Sequence, residues 1–148
     1  MKIRQMVFVS TKLIVNAPAS RVWETLRKFD GVERYLPVVK SSTVKGSGYG
    51  AERTCTVQMS HDQAPMLLEE KLLDVDEVNR TLRYIIVNSS MPIVDYMGTM
   101  KVTELDESTC EVGWSSTFSA KGIPENELVG MIKGIYAMGL DGLRKLHE

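Results

Sequence analysis

The chain has 148 residues, 43% hydrophobic and 25% charged, an ordinary globular composition long enough to bury a core in one domain over 1–148. Its formal net charge of −1 offers no electrostatic footing for nucleic acid or an anionic membrane surface. No run approaches the roughly 18 apolar residues of a membrane span, and Met1 to Val9 lacks the features of a secretory signal, so no integral membrane contact and a cytoplasmic location are expected.

The first strand is read over Ile3 to Val15, with a polar break at Ser10 and Thr11. Asn16-Ala17-Pro18-Ala19-Ser20 carries helix-start chemistry: Asn16 or Ser20 can cap, and proline suits a first turn. Val22, Trp23, Leu26 and Phe29 give the following helix an apolar face, which stops near Asp30-Gly31. A second short helical piece, Val32 to Leu36, ends before Pro37. Six strands follow in the punctuation of an antiparallel meander: Val38 to Lys45, Ala51 to Met59, Leu67 to Val75, Thr81 to Asn88, Ile93 to Leu105 and Cys110 to Ala120. On the last of these Val112, Trp114 and Phe118 alternate with Glu111, Gly113, Ser115 and Thr117, so one face is buried and the other wet.

A long helix, Pro124 to His147, closes the chain, with Glu125 and Glu127 in its first turn, where the helix dipole favours acids. Leu128, Met131, Ile132, Ile135, Gly139, Gly142, Leu143 and Leu146 recur at the spacing of one buried stripe. Glycine within a helix costs about 1 kcal/mol relative to alanine, yet this helix carries Gly130, Gly134, Gly139 and Gly142. Gly139 and Gly142 lie on the stripe, where a missing side chain leaves space or admits another backbone. The expected fold is α+β: a seven-stranded curved antiparallel sheet gripping the long C-terminal helix, with two short helices after the first strand. A sheet around a helix that leaves room suggests a container for a ligand.

Motifs for catalysis are sparse. His61 sits in a polar loop and His147 one residue from the end, and the contiguous Ser60-His61-Asp62 cannot fold into a catalytic triad. Metal-ligand spacings such as Cys-x-x-Cys or His-x-x-x-His are absent, so neither metal nor cofactor is expected. Gly46-Ser47-Gly48-Tyr49-Gly50 is followed by a strand and reads as a hairpin turn, since a phosphate loop would open a helix. Cys55 and Cys110 are too few for a disulfide framework, and Cys55 reads as a small buried residue, with a thiolate activated by Arg53 as the weaker option.

The stronger signal is polar residues on inward strand faces. Arg53, Cys55, Val57 and Met59 share one face, and Leu68, Glu70 and Leu72 share the face of the next strand. Arg53 and Glu70 therefore either pair internally, because an unpartnered buried charge is costly, or sit at the rim and reach water. Tyr84, Tyr96 and Ser116 stand where a hydroxyl could meet a ligand, and Met59, Met131 and Met138 could adapt to an irregular one.

The chain resembles the START-like, Bet v 1-like (SRPBCC) helix-grip superfamily, and within it bacterial polyketide cyclase/dehydrase-type proteins, some of them in methanol-oxidation gene clusters. The resemblance runs end to end. Its carriers are Ala17-Pro18-Ala19-x-x-Val22-Trp23, Tyr35-Leu36-Pro37, Gly48-x-Gly50-Ala51-x-Arg53-Thr54, Glu70-Lys71-Leu72-Leu73, Met91-Pro92-Ile93-Val94-x-Tyr96 and Gly134-Ile135-Tyr136-x-x-Gly139-Leu140. The resemblance implies that Glu70, Tyr84, Ile86 and Tyr96 face a cavity, with Cys55 and Val57 lining it and Met131, Ile135 and Gly139 on the ligand side of the last helix. Set against the plant abscisic-acid receptors, Leu36 replaces their carboxylate-binding lysine. Ser60-His61-Asp62-Gln63-Ala64-Pro65 replaces their gate and Met91-Pro92-Ile93 their latch, so a hormone-receptor function is not implied.

The leading expectation is binding or transport of a small hydrophobic molecule between sheet and helix, by a monomer or homodimer. Its site would comprise Arg53, Cys55, Val57, Met59, Glu70, Tyr84, Ile86, Tyr96, Trp114, Ser116, Met131, Ile135, Met138 and Gly139. The alternative is a polyketide cyclase/dehydrase-like enzyme with Glu70 or Tyr96 as acid or base. A third reading, an interaction protein with an incidental cavity, would go with a collapsed core.

Overall fold

The computed structural model describes residues 5–148, which form seven strands, two α-helices and one 3-10 turn. The strands are β1 (Val7–Val15), β2 (Val39–Lys45), β3 (Glu52–Val57), β4 (Met66–Asp76), β5 (Thr81–Ser89), β6 (Ile93–Asp106) and β7 (Thr109–Ala120). They make one antiparallel sheet in the order β1-β7-β6-β5-β4-β3-β2. Each strand from β2 to β7 pairs with its sequence neighbour, and β1 adds to the outside of β7. The expected start of the first strand at Ile3 lies outside the described residues.

Register shifts at Val39/Ser41, Glu69/Glu70, Leu72/Asp74, Val94/Met97 and Glu104/Asp106 interrupt the ladders. Such bulges bend strands and increase their twist. Asp95, inside one of them, takes a left-handed φ of 55°. The curved sheet wraps α2 (Glu125–His147), the helix-grip arrangement expected from the sequence.

Between β1 and β2 the chain crosses from one edge of the sheet to the other through α1 (Ala19–Arg27) and a 3-10 turn at Val32–Arg34. Only the first of the two expected short helices is therefore α-helical. Gly31, at a left-handed φ of 76°, and Pro37 bracket a segment too short for more than one turn. The capping expectation is also corrected. Pro18 itself is the N-cap of α1, with no side-chain cap, and its carbonyl accepts from Arg21 N at 3.0 Å and Val22 N at 3.3 Å. Val22, Trp23 and Leu26 are buried as expected.

On α2 the buried residues are Leu128, Ile132, Tyr136, Gly139, Leu140 and Leu143. Met131, Ile135 and Gly142 are half-buried, and Leu146 is 42% exposed. The buried face is rotated from the expected stripe so that it takes in Tyr136 and Leu140, while Leu146, on the same helical angle as buried Leu128, lies in the last turn and is exposed.

The stripe glycines are contact points. A Cβ on Gly142 would lie 1.8 Å from the Tyr35 carbonyl oxygen, so the helix rests against backbone there. A Cβ on Gly139 would lie 2.5 Å from the Trp114 ring and 3.3 Å from Leu36 Cδ1. The space expected at Gly139 is thus already filled. Gly130 and Gly134 meet nothing within 4 Å. Among the described residues no helix is long and apolar enough to cross a membrane.

Two predictions follow from the packing of α2. Gly142→Ala gains helix propensity of up to about 1 kcal/mol but must push backbone aside, so a net loss of about 1–3 kcal/mol is expected. Gly134→Ala, in open space, should instead raise stability by up to about 1 kcal/mol. Urea midpoints of the two variants moving in the same direction would contradict this packing.

At the C-terminal end of α2, His147 Nε2 lies 2.9 Å from Thr25 Oγ1. Burial, and then the Arg21 and Arg34 cations, lower its pKa below the ordinary value. The neutral ring is favoured in the fold, so its stabilising contribution is complete above the unfolded pKa of about 6.5 and is lost as pH falls toward the lower folded value. Melting temperature should therefore drop as pH falls through and below about 6.5, and His147→Gln should flatten that slope. An unchanged slope in the variant would assign the titration elsewhere.

Candidate functional site

Two-residue periodicity on β3 places Arg53, Cys55 and Val57 inward, with Glu52, Thr54 and Thr56 on the wetter face. The β3/β4 register sets Arg53 directly opposite Glu70. Arg53 Nε donates to Glu70 Oε1 at 2.7 Å, with the residues 7% and 5% exposed, so the internal pairing and not the rim position is realised. Arg53 also donates through Nη1 to the Phe29 carbonyl at 3.0 Å, and its guanidinium lies 4.0 Å over the Phe29 ring. These partners matter because a buried ion pair is favourable only when its remaining hydrogen-bonding capacity is used.

The pair governs its neighbours. Burial by itself would lower the Arg53 pKa, but the Glu70 carboxylate outweighs it and the pKa rises. Cys55 Sγ donates to Glu70 Oε1 at 3.6 Å, and burial together with that negative charge pushes the thiol up to about 12. Cys55 is a buried thiol, and the activated-thiolate option is not realised.

Beyond the pair, four aromatic side chains from four elements meet: Tyr84 of β5, Tyr96 of β6, Trp114 of β7 and Tyr136 of α2. Trp114 Nε1 donates to the Tyr84 hydroxyl at 2.9 Å, that hydroxyl lies 2.9 Å from the Tyr96 hydroxyl, and Tyr96 is hydrogen-bonded to Tyr136. The Trp114 and Tyr136 rings stack with centroids 4.4 Å apart. Two glycines make the cluster possible. Gly98, opposite Tyr84 in register, would put a Cβ 2.5 Å from Tyr84 Cζ, while Gly139 accommodates the Trp114 ring. Burial raises the Tyr84 and Tyr96 pKa values well above the ordinary phenol range and pushes Tyr136 up to about 12.

These groups border a cavity between sheet and α2 whose space open to the centre of a water molecule is about 70 Å³. Of the residues expected to form a site, Arg53, Cys55, Val57, Met59, Glu70, Tyr84, Ile86, Tyr96, Trp114 and Ile135 line it. The other four do not. Ser116 is buried on the same β7 face, and its Oγ makes no hydrogen bond among the described residues. Met131 packs half-buried against the core. Gly139 is covered by Trp114, and Met138, 39% exposed, lies on an outer surface with Pro37, Lys40 and His61.

Among the lining residues that sequence reasoning missed are Tyr136, Ile132, Tyr35, Leu36, Met91 and Met100. Tyr136 sits four residues beyond Ile132 on the apolar stripe, and Met100 shares an alternating face with Tyr96, so both carried a periodic signal. Tyr35 and Leu36 follow the 3-10 turn, where no period exists to read. Among the described residues no group of three or more His, Cys, Asp or Glu side chains is placed to hold a metal ion.

Residues 6–148 match the family described as polyketide cyclase/dehydrase and lipid transport. The fold is similar to that of the protein XoxI from Bacillus cereus, with a TM-score of 0.85 at 24% identity over 95% of each chain. A protein from Thermobifida fusca gives a TM-score of 0.78 at 28% identity, covering 93% of this chain and 90% of that one. The Zhui aromatase/cyclase of a Streptomyces species gives a TM-score of 0.80 at 17% identity, covering 95% and 93%.

The ion pair is directly testable. Arg53→Met leaves Glu70 buried and unpaired and should cost about 3–5 kcal/mol, whereas Arg53→Met combined with Glu70→Leu should recover most of that loss. Additive losses in a urea-denaturation double-mutant cycle would remove the coupling from the account.

Proposed function

The chain belongs to the polyketide cyclase/dehydrase and lipid-transport family of the START-like, Bet v 1-like superfamily, and we propose from that premise that it binds or carries a small hydrophobic molecule between sheet and α2. The observation that carries this reading is the cavity itself: mostly apolar walls with a few convergent polar groups, the usual composition of a small-molecule site. Affinity would come from apolar burial, at roughly 25 cal/mol per Å² before the costs of association.

Size narrows the ligand. The open space of about 70 Å³ suits a molecule of about one ring, and anything of drug size, in sites of roughly 300–1,000 Å³, needs the walls to move. Met59, Met91 and Ile135 are half-buried lining residues suited to that movement, two of them unbranched and adaptable. The neighbouring loops 60–65 and 89–92 would act as the lid. Each carries one internal bond, Gln63 N to Ser60 O at 3.2 Å and Met91 N to Ser89 Oγ at 3.0 Å, and each is anchored from outside, by Gln58 Nε2 to Gln63 O and by Lys121 N to Pro92 O, both at 3.0 Å, so opening would have to break these anchors.

The enzyme alternative has less support. Tyr96 has its hydroxyl bonded to both Tyr84 and Tyr136 and keeps its proton far above neutral pH, which disfavours it as a base. Glu70 is held by Arg53 and Cys55 at the same oxygen.

Native mass spectrometry of freshly purified protein, followed by organic extraction, should find one small neutral apolar molecule retained. Ile135→Trp, which fills the cavity from α2, should lose that mass while remaining folded by circular dichroism. Retention of the same mass by the filled variant would place the ligand outside this cavity.

A further inference from the structure

The hydrogen-bond count of the aromatic cluster says which ligand chemistry the cavity favours. An indole N–H only donates, whereas each tyrosine hydroxyl has one proton and accepts through its lone pairs. Trp114, Tyr84, Tyr96 and Tyr136 therefore bring four protons to the three bonds that join them. Whichever way the hydroxyls turn, one proton is left without an acceptor inside the cluster. Ser116, 3% exposed and with Oγ unpartnered among the described residues, brings a proton of its own, so pairing it with Tyr136 moves the surplus without removing it. A hydroxyl oxygen that accepts one bond is satisfied, but a buried donor without an acceptor carries the desolvation penalty of a lost hydrogen bond. All four ring residues line the cavity, so a ligand can supply the missing acceptor.

Charge excludes one class of acceptor. Among the described residues Arg53 is the only cationic residue in the lining, and its single charge is already matched by Glu70 through Nε, with Nη1 held by the Phe29 carbonyl. A ligand carboxylate would bring a second negative charge beside Glu70 to share that one cation, and burying an excess charge is costly. A neutral oxygen faces no such penalty. The phenols keep their protons at neutral pH, so the surplus donor persists there.

We propose that the Trp114–Tyr84–Tyr96–Tyr136 cluster is a recognition subsite for a neutral, acceptor-only oxygen, so that the cavity selects apolar carbonyl compounds such as aryl ketones over both hydrocarbons and carboxylates. This subsite rests on the binding reading given above. It assigns the polar specificity to the cavity walls built by β5, β6, β7 and α2.

Three single-ring probes separate the possibilities: acetophenone, ethylbenzene and benzoate, titrated by calorimetry at neutral pH. Acetophenone should bind about five- to tenfold more tightly than ethylbenzene, the ratio expected for one net hydrogen bond, and benzoate should bind more weakly than either. The infrared carbonyl stretch of bound acetophenone should be shifted down relative to the same ketone in hexane. Tyr136→Phe combined with Tyr84→Phe and Tyr96→Phe should erase the preference and the shift while ethylbenzene still binds. The wild-type infrared comparison stands even if that variant fails to fold. Equal binding of ketone and hydrocarbon with an unshifted carbonyl would overturn the subsite and leave the hydrophobic-ligand reading standing. Binding of none of the three probes would overturn both.

Discussion

Helix α2 lies over the sheet at a separation set by two absent side chains. At Gly142 the helix touches the backbone of Tyr35, and at Gly139 it touches the Trp114 ring. Each glycine weakens the helix on its own, and each is justified only by the contact it permits. Everything bordering the cavity depends on this approach. It brings Tyr136 down onto Trp114 at a centroid distance of 4.4 Å, and it presses the turn after Val32–Arg34 between helix and sheet. A helix standing further off would leave a wider cavity but no aromatic cluster within it.

The interior so formed is apolar in bulk and polar in two adjoining groups. In one Arg53 and Glu70 cancel each other's charge, and the guanidinium also reaches the Phe29 carbonyl and ring and lies 5.5 Å from the centroid of the Tyr84 ring. In the other, four aromatic heads share three hydrogen bonds. Both devices let polar groups be buried without a net charge, which suits a cavity for neutral molecules. The same pairing accounts for the inertness of Cys55, whose thiol is held protonated by burial and by Glu70. The helix-grip fold is common to proteins with quite different tasks, so it is the chemistry of these two groups that gives this chain its particular character.

Much of this was legible in the sequence, and the reason is local geometry. Strand alternation is a two-residue rule, so the shared face of Arg53, Cys55 and Val57, and that of Glu70 with Leu72, could be read directly, and the seven strands fell close to their expected places. The long helix was equally plain from its apolar stripe, though its buried face is rotated to take in Tyr136 and Leu140, because which part of an apolar stripe is covered depends on how the sheet packs against it. Short irregular pieces were read less well. The second helical piece became a single 3-10 turn, and the start of α1 uses Pro18 and no side-chain cap.

The sequence by itself determined which faces are apolar, where the chain turns, and that a charged pair and several hydroxyls share the inner side of the sheet. All of these depend on residues a few positions apart, whose relation the backbone geometry dictates. Only the tertiary structure decided how much room remains, that Trp114 occupies the place vacated at Gly139, and that Tyr136 completes a chain of hydroxyls begun on β5. These contacts join residues 40 positions apart for Tyr96 and Tyr136 and 30 for Tyr84 and Trp114. Their distances follow from how helix and sheet settle against each other, a balance of packing among many side chains that no local period encodes.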